Sequence, residues 1–109
     1  MCQYQTLYFN DKTGYAVRCR ECEKIQVAYS NLVMTFEKMD FDTFHDGIKK
    51  SRADQPAAIA PSARSIMIPS PCQGIQLLLS YNELNEFCEM LEATDSELQS
   101  LELLELFNE

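Results

Sequence analysis

The chain has 109 residues, 46% of them hydrophobic and 24% charged, a composition that fits one globular domain and excludes disordered or fibrous classes. Its net charge of −8 argues against a general nucleic-acid binder, which needs a basic footprint. The charge is also uneven. Residues 1–70 carry all nine basic side chains and eight acids, close to neutral; residues 71–109 carry nine acids and no base.

The first strand signals come early. Residues 3–9 (QYQTLYF) and 15–18 (YAVR) are rich in aromatic and β-branched types and flank the turn cluster Asn10–Gly14, so they are read as a hairpin. Residues 24–29 (KIQVAY) and 32–36 (LVMTF) read as a second pair around Ser30-Asn31. The period then changes: Phe41, Phe44, His45 and Ile48 recur at helical spacing, which predicts a helix over 41–52 with Asp40 as N-cap. Residues 51–63 (SRADQPAAIAPSA) hold two prolines and little periodicity and read as the long connection.

A third pair is expected over 65–68 and 74–80, with Pro69 at a strand end because it cannot donate to a ladder. Ser80-Tyr81-Asn82-Glu83 has capping-box form and opens a helix. Thr94-Asp95-Ser96-Glu97 has the same form, so residues 81–107 read either as one helix or as two broken near Thr94. One unbroken helix would be ~40 Å long and would outrun a body only ~30 Å across.

The expectation is an α+β fold, a mainly antiparallel sheet of about six strands with two or three helices on one face. It forms one domain over 1–109: hairpins and first helix in 1–50, the connection in 51–63, then a strand pair and acidic helices in 64–109. Met34–Phe44 and Leu77–Phe87 run in parallel at an offset of 43 residues, which suggests an internal strand–strand–helix pseudo-repeat.

The N-terminus lacks the basic stretch and apolar core of a secretory signal. No apolar run approaches the ~18 residues that span a membrane. Five cysteines without a signal disfavour a disulfide framework, so a cytoplasmic location with reduced thiols is expected.

Cys19-Arg20-Glu21-Cys22 places C-x-x-C at a strand end, a spacing at which two thiolates can share one tetrahedral zinc. Pairing Phe9 with Tyr15 sets Cys2 opposite Cys22, which adds a third ligand. Cys72, in a proline-flanked turn, is the preferred fourth, ahead of Cys88 and His45. The expected metal site is therefore Cys2, Cys19, Cys22 and Cys72 holding structural zinc. Packed or surface thiols and a redox pair at Cys19 and Cys22 stay open beside it. A zinc knuckle usually has glycine after its second cysteine, whereas Glu23 stands there.

Cys88 sits on the apolar face of its helix and reads as core. His45 reads as a hydrogen-bonded residue at the core edge. One histidine, three glycines and no nucleophile-elbow or phosphate-loop pattern make a non-enzymatic binding protein the leading expectation. The alternative is a thiol-dependent redox sensor or enzyme. Residues 83–109 carry a leucine stripe with an acidic outer face, suited to a homodimer or to a basic protein partner; neither nucleic acid nor membrane is expected.

The motifs TLYFN, TGY, VRC-x-EC, IQVA and NL-x-MTF within Tyr4–Phe36 resemble a family of short uncharacterised bacterial proteins, a domain of unknown function. Looser similarity continues through Ile68–Pro71 and Asn82-Glu83-Leu84. The resemblance implies a shared domain and brings no activity or site residues with it.

Overall fold

Side chains alternate across a strand, so Ala16, Arg18, Ile25, Val27, Tyr29 and Phe36 can share one face only if their strands pair in register. They do. The computed structural model describes residues 3–55 and 60–108. Its elements are β1 (Tyr4–Asn10), β2 (Gly14–Cys19), β3 (Ile25–Tyr29), β4 (Leu32–Phe36), α1 (Lys38–Asp54), β5 (Ile66–Pro69), β6 (Gln76–Leu79) and α2 (Tyr81–Phe107). Strands β1 to β4 form an antiparallel meander, while β5 and β6 form a separate two-stranded sheet. Among the described residues the fold is thus α+β, with six strands divided between two sheets and two helices.

The first hairpin pairs Phe9 with Tyr15 and Asn10 with Gly14. Gly14 takes φ +145, and a Cβ there would lie 1.9 Å from the Ala28 carbonyl oxygen on the neighbouring strand. No other residue fits that approach. Between Thr6 and Tyr8 the register slips by one, so Tyr4 pairs with Cys19. This bulge aims Leu7, 6% exposed, into the core. The expected pairing of Cys2 with Cys22 falls on a residue outside the described ones.

The inner face of the meander meets both helices. Phe41, Phe44, His45 and Ile48 of α1 are buried, as are Leu84, Phe87, Cys88, Leu91 and Leu98 of α2. Aromatic rings join the layers: Tyr29 stacks on Phe87 with centroids 4.5 Å apart, and Phe44 lies 5.2 Å from Phe36 and 5.8 Å from Phe87. Such pairs add roughly 0.5–1.5 kcal/mol each beyond their burial. The opposite face of the meander has no such cover at its edges, where Phe9 and Val33 stand exposed.

Helix α1 begins three residues before the expected start. Its N-cap is Glu37, without a side-chain cap, and Asp40 falls in the first turn, where a carboxylate favours the helix dipole. The added turn presents Met39 to solvent, so apolar spacing carries no sign of it. The helix also runs on to Asp54, into the expected connection; residues 56–59 lie outside the described residues.

Helix α2 is continuous. Ser80 and Glu83 form a reciprocal capping box. At Thr94, where a break was an option, the hydroxyl donates to the Met90 carbonyl at 2.8 Å and the residue is fully buried. A threonine that bonds back into its own helix is no longer available as a cap. The molecule measures 51 × 26 × 26 Å, long in one direction, as an unbroken helix requires. The units β3-β4-α1 and β5-β6-α2 share element order, but their strand pairs belong to different sheets.

Candidate functional site

The C-x-x-C segment forms the turn from β2 into β3. Cys19 N–H donates to the Lys24 carbonyl, and Glu23 N–H donates to the Cys19 carbonyl, both at 2.9 Å. Cys22 N–H points at Cys19 Sγ, 3.5 Å away. Glu23 adopts φ 64, the left-handed conformation for which glycine is the usual residue. One backbone N–H thus faces the Cys19 sulfur within a turn whose left-handed position is held by a glutamate. Cys19 is buried and Cys22 exposed.

Cys72 is exposed in the β5–β6 connection, where Ser70 Oγ accepts its N–H at 3.1 Å. Cys88 is buried in α2, and burial pushes its thiol up from the ordinary value. Among the described residues, no three His, Cys, Asp or Glu side chains form a group able to hold a metal ion. Cys2, the remaining member of the expected set, lies outside the described residues. His45 is 3% exposed and its Nε2 lies 2.9 Å from Glu92 Oε1, the hydrogen-bonded setting expected of it.

The second feature is the end of α2. Leu98 is 1% exposed and Leu101 packs partly against the core. Beyond them Leu103, Leu104, Leu106 and Phe107 are between 55% and 79% exposed. The last turn holds no base, and Glu102 and Glu105 flank these apolar residues. The turn is also tied back to the sheet, where Arg18 Nη2 donates to Glu105 Oε1 at 2.6 Å.

Arg18 is not among the expected site residues. It sits on the inner face of β2, 7% exposed, and pairs with Gln5 and Ile25 across the ladder. The signal was present, since Ala16 points inward and the strand period of two sends Arg18 the same way. Arg18 lines a cavity of about 290 Å³ together with Ile25, Lys38, Leu98, Glu102 and Glu105. A second cavity, about 530 Å³, lies between α1 and β5, bounded by Phe44, Gly47, Lys50, Ile68 and Pro69.

These features define a small α+β domain with a cysteine-bearing turn at one sheet end and an exposed apolar and acidic helix end. Over residues 1–108 the chain matches the family of unknown function DUF6686, and it belongs to that family. No curated protein and no solved structure matches it significantly. Among the described residues, no helix is long and apolar enough to cross a membrane.

Proposed function

We propose that this protein is a non-enzymatic binding protein that works as a homodimer, with the C-terminal turns of α2 as its contact. One observation carries this reading: four large apolar residues within five positions, Leu103 to Phe107, stand exposed at the C-terminal end of α2. Contiguous apolar surface of this kind marks association sites. A second copy supplies the complementary charge, because every base lies in residues 1–70 and the helix third has none. Acidic helix flanks seated on a partner's mixed-charge body gain from that division, whereas two such helices laid side by side would repel.

Sedimentation equilibrium of the full chain, beside Leu104→Asp combined with Phe107→Asp, tests the reading. A dimer mass that falls to monomer in the variant, and that weakens with added salt, supports it. Monomers in both forms overturn it.

A second reading is favoured by the knuckle-like turn: a structural zinc held by Cys2, Cys19, Cys22 and Cys72. The Cys22 N–H to Cys19 Sγ contact and the left-handed Glu23 suit a metal-bound thiolate. A reducing bacterial cytoplasm is the compartment that both readings assume. Metal analysis of protein purified under reducing conditions should find about one zinc per chain, lost in Cys19→Ser. Metal-free protein with one fast-reacting thiol at Cys19 or Cys22 would sink the zinc site and favour a redox sensor.

A further inference from the structure

The cavity between α1 and β5, about 530 Å³, has the size of a cleft that holds a bound group. Its α1 wall is a single stripe, with Asp40, Phe44, Gly47 and Lys50 at steps of three and four residues. That stripe runs about 15 Å along the helix. Phe44 and Ile68 are 8% and 3% exposed and line it together with Pro69, so the groove is apolar between its two charged ends. Asp40 stands at one end and Lys50 at the other. Among the described residues Lys50 makes no ion pair.

Gly47 occupies the middle of the stripe. Glycine weakens a helix interior relative to alanine, and a close neighbour would explain its place there. Among the described residues, a Cβ on Gly47 would meet no atom within 4 Å. The fold of this chain thus gives no reason for the missing side chain, whereas an occupant of the groove does.

The end of α2 has what such an occupant needs. At about 100° per residue, Leu103 and Phe107 project away from Leu98 and Glu105, which face their own sheet. A helix laying an apolar face into an apolar groove is a recurrent mode of docking. Pro69 favours a helix over an added strand, because proline cannot donate to a ladder. Charge sets the direction of entry. The last turn of α2 holds no base, so its carbonyls and dipole lack the cation that suits a helix C-terminus. Lys50 of a second copy supplies that cation, with Asp40 at the far end. The chain's own helix end does not fill the groove: α2 contributes no residue to its lining, and Glu105 is bonded to Arg18 in β2.

We propose that the groove between α1 and β5 receives Leu103 and Phe107 of a second copy, with Lys50 against the carbonyl end of the entering helix. Two copies that each give a helix end and accept one close into a dimer with two equal contacts. This placement rests on the dimer reading and names the surface that receives the helix.

Sedimentation equilibrium of the full chain tests it through Gly47→Leu, which fills the groove without meeting the chain's own atoms. The variant should fold at least as stably as wild type, read as a urea midpoint at dilution, because leucine is the better helix former. Its dimer should nevertheless be weaker by about tenfold or more. Lys50→Glu should weaken the dimer by about two- to fivefold, as loss of a rim charge does. Gly47→Leu mixed with the Leu104→Asp, Phe107→Asp variant should associate where neither does alone, since one blocked groove and one spoiled end leave a single intact contact. A wild-type dimer that persists undiminished in Gly47→Leu overturns the groove and leaves the dimer reading standing. A mixture that stays monomeric also overturns it. Wild-type protein that is monomeric removes the dimer reading itself, and the groove assignment with it.

Discussion

The two ends of α2 are made of similar residues and live in opposite surroundings. Between Tyr81 and Leu98 the helix is capped at Ser80 and buries Leu84, Phe87, Cys88, Met90, Leu91, Thr94 and Leu98. Its first turn carries Glu83, which suits the positive end of the helix dipole. Its last turns carry Glu102 and Glu105 with no base, which opposes the negative end, and Leu103, Leu104 and Leu106 are more than half exposed. Leucine content alone therefore says nothing about what a stretch of helix does. Cover and end charge do: the first part holds the domain together, and the second is held through the Arg18–Glu105 pair and the partial packing of Leu101.

The largest effect should come from the anchored part. Phe87 is fully buried between Tyr29 and Phe44, so Phe87→Ala is expected to cost about 3–5 kcal/mol. Urea denaturation measures it. A loss below ~1 kcal/mol would show that α2 does not anchor the sheet.

Next is the capping box. Ser80 Oγ accepts from Glu83 N–H at 3.0 Å, and Glu83 Oε1 accepts from Ser80 N–H at 2.9 Å. Ser80→Ala should cost roughly 1 kcal/mol, read as a lower midpoint with unchanged slope. A loss as large as that at Phe87 would mean that the cap, and not burial, fixes the helix.

Much of this architecture is legible in the sequence. The six strands, the Phe41–Ile48 face and the Ser80 cap follow from period and turn chemistry. Three features are not, for physical reasons. The bulge at Leu7 leaves the residue pattern of a regular strand and shows only in pairing. The first turn of α1 presents Met39 outward and so adds nothing to the apolar period. Thr94 carries a cap signature, and only its burial inside the helix decides that the hydroxyl bonds to Met90. At the candidate site, C-x-x-C spacing pointed to a turn, but not to the left-handed Glu23, since glutamate is a poor guide to positive φ. Arg18 shows the reverse case: strand alternation sends it inward beside Ala16, but a cation in a strand carries no sign of its own that it is buried.

A smaller effect separates the helix ends by pH. Arg64, with help from the Ser80 N–H, holds the Glu83 carboxyl below its ordinary range against the opposing effect of burial. A carboxyl with a depressed folded-state pKa contributes stability that is complete above the unfolded value, ~4.3, and is lost as pH falls through the folded value. Arg64 is 59% exposed, so solvent screening keeps the ion-pair share below ~1 kcal/mol. The stability gap between wild type and Glu83→Gln should therefore be widest near neutrality and close below about pH 4. A gap that widened on acidification would reverse the assignment of Glu83 as a charged cap.

The smallest expected change in stability is at the uncovered end, and its smallness is what tests the comparison. Leu104 and Phe107 are 56% and 79% exposed, so Leu104→Ser and Phe107→Ser remove little that folding buries and should each shift monomer stability by no more than ~0.5 kcal/mol. Leu91, fully buried in the same helix, should lose several times that on the same substitution. The measurement must be made at concentrations low enough to dissociate a dimer, because association adds concentration-dependent stability to the folded state. If the end variants then match wild type at low concentration and fall below it at high concentration, the last turns contribute through contact between copies. If they fall below it at every concentration, those leucines support their own chain, and the division of α2 into an anchor and a contact fails.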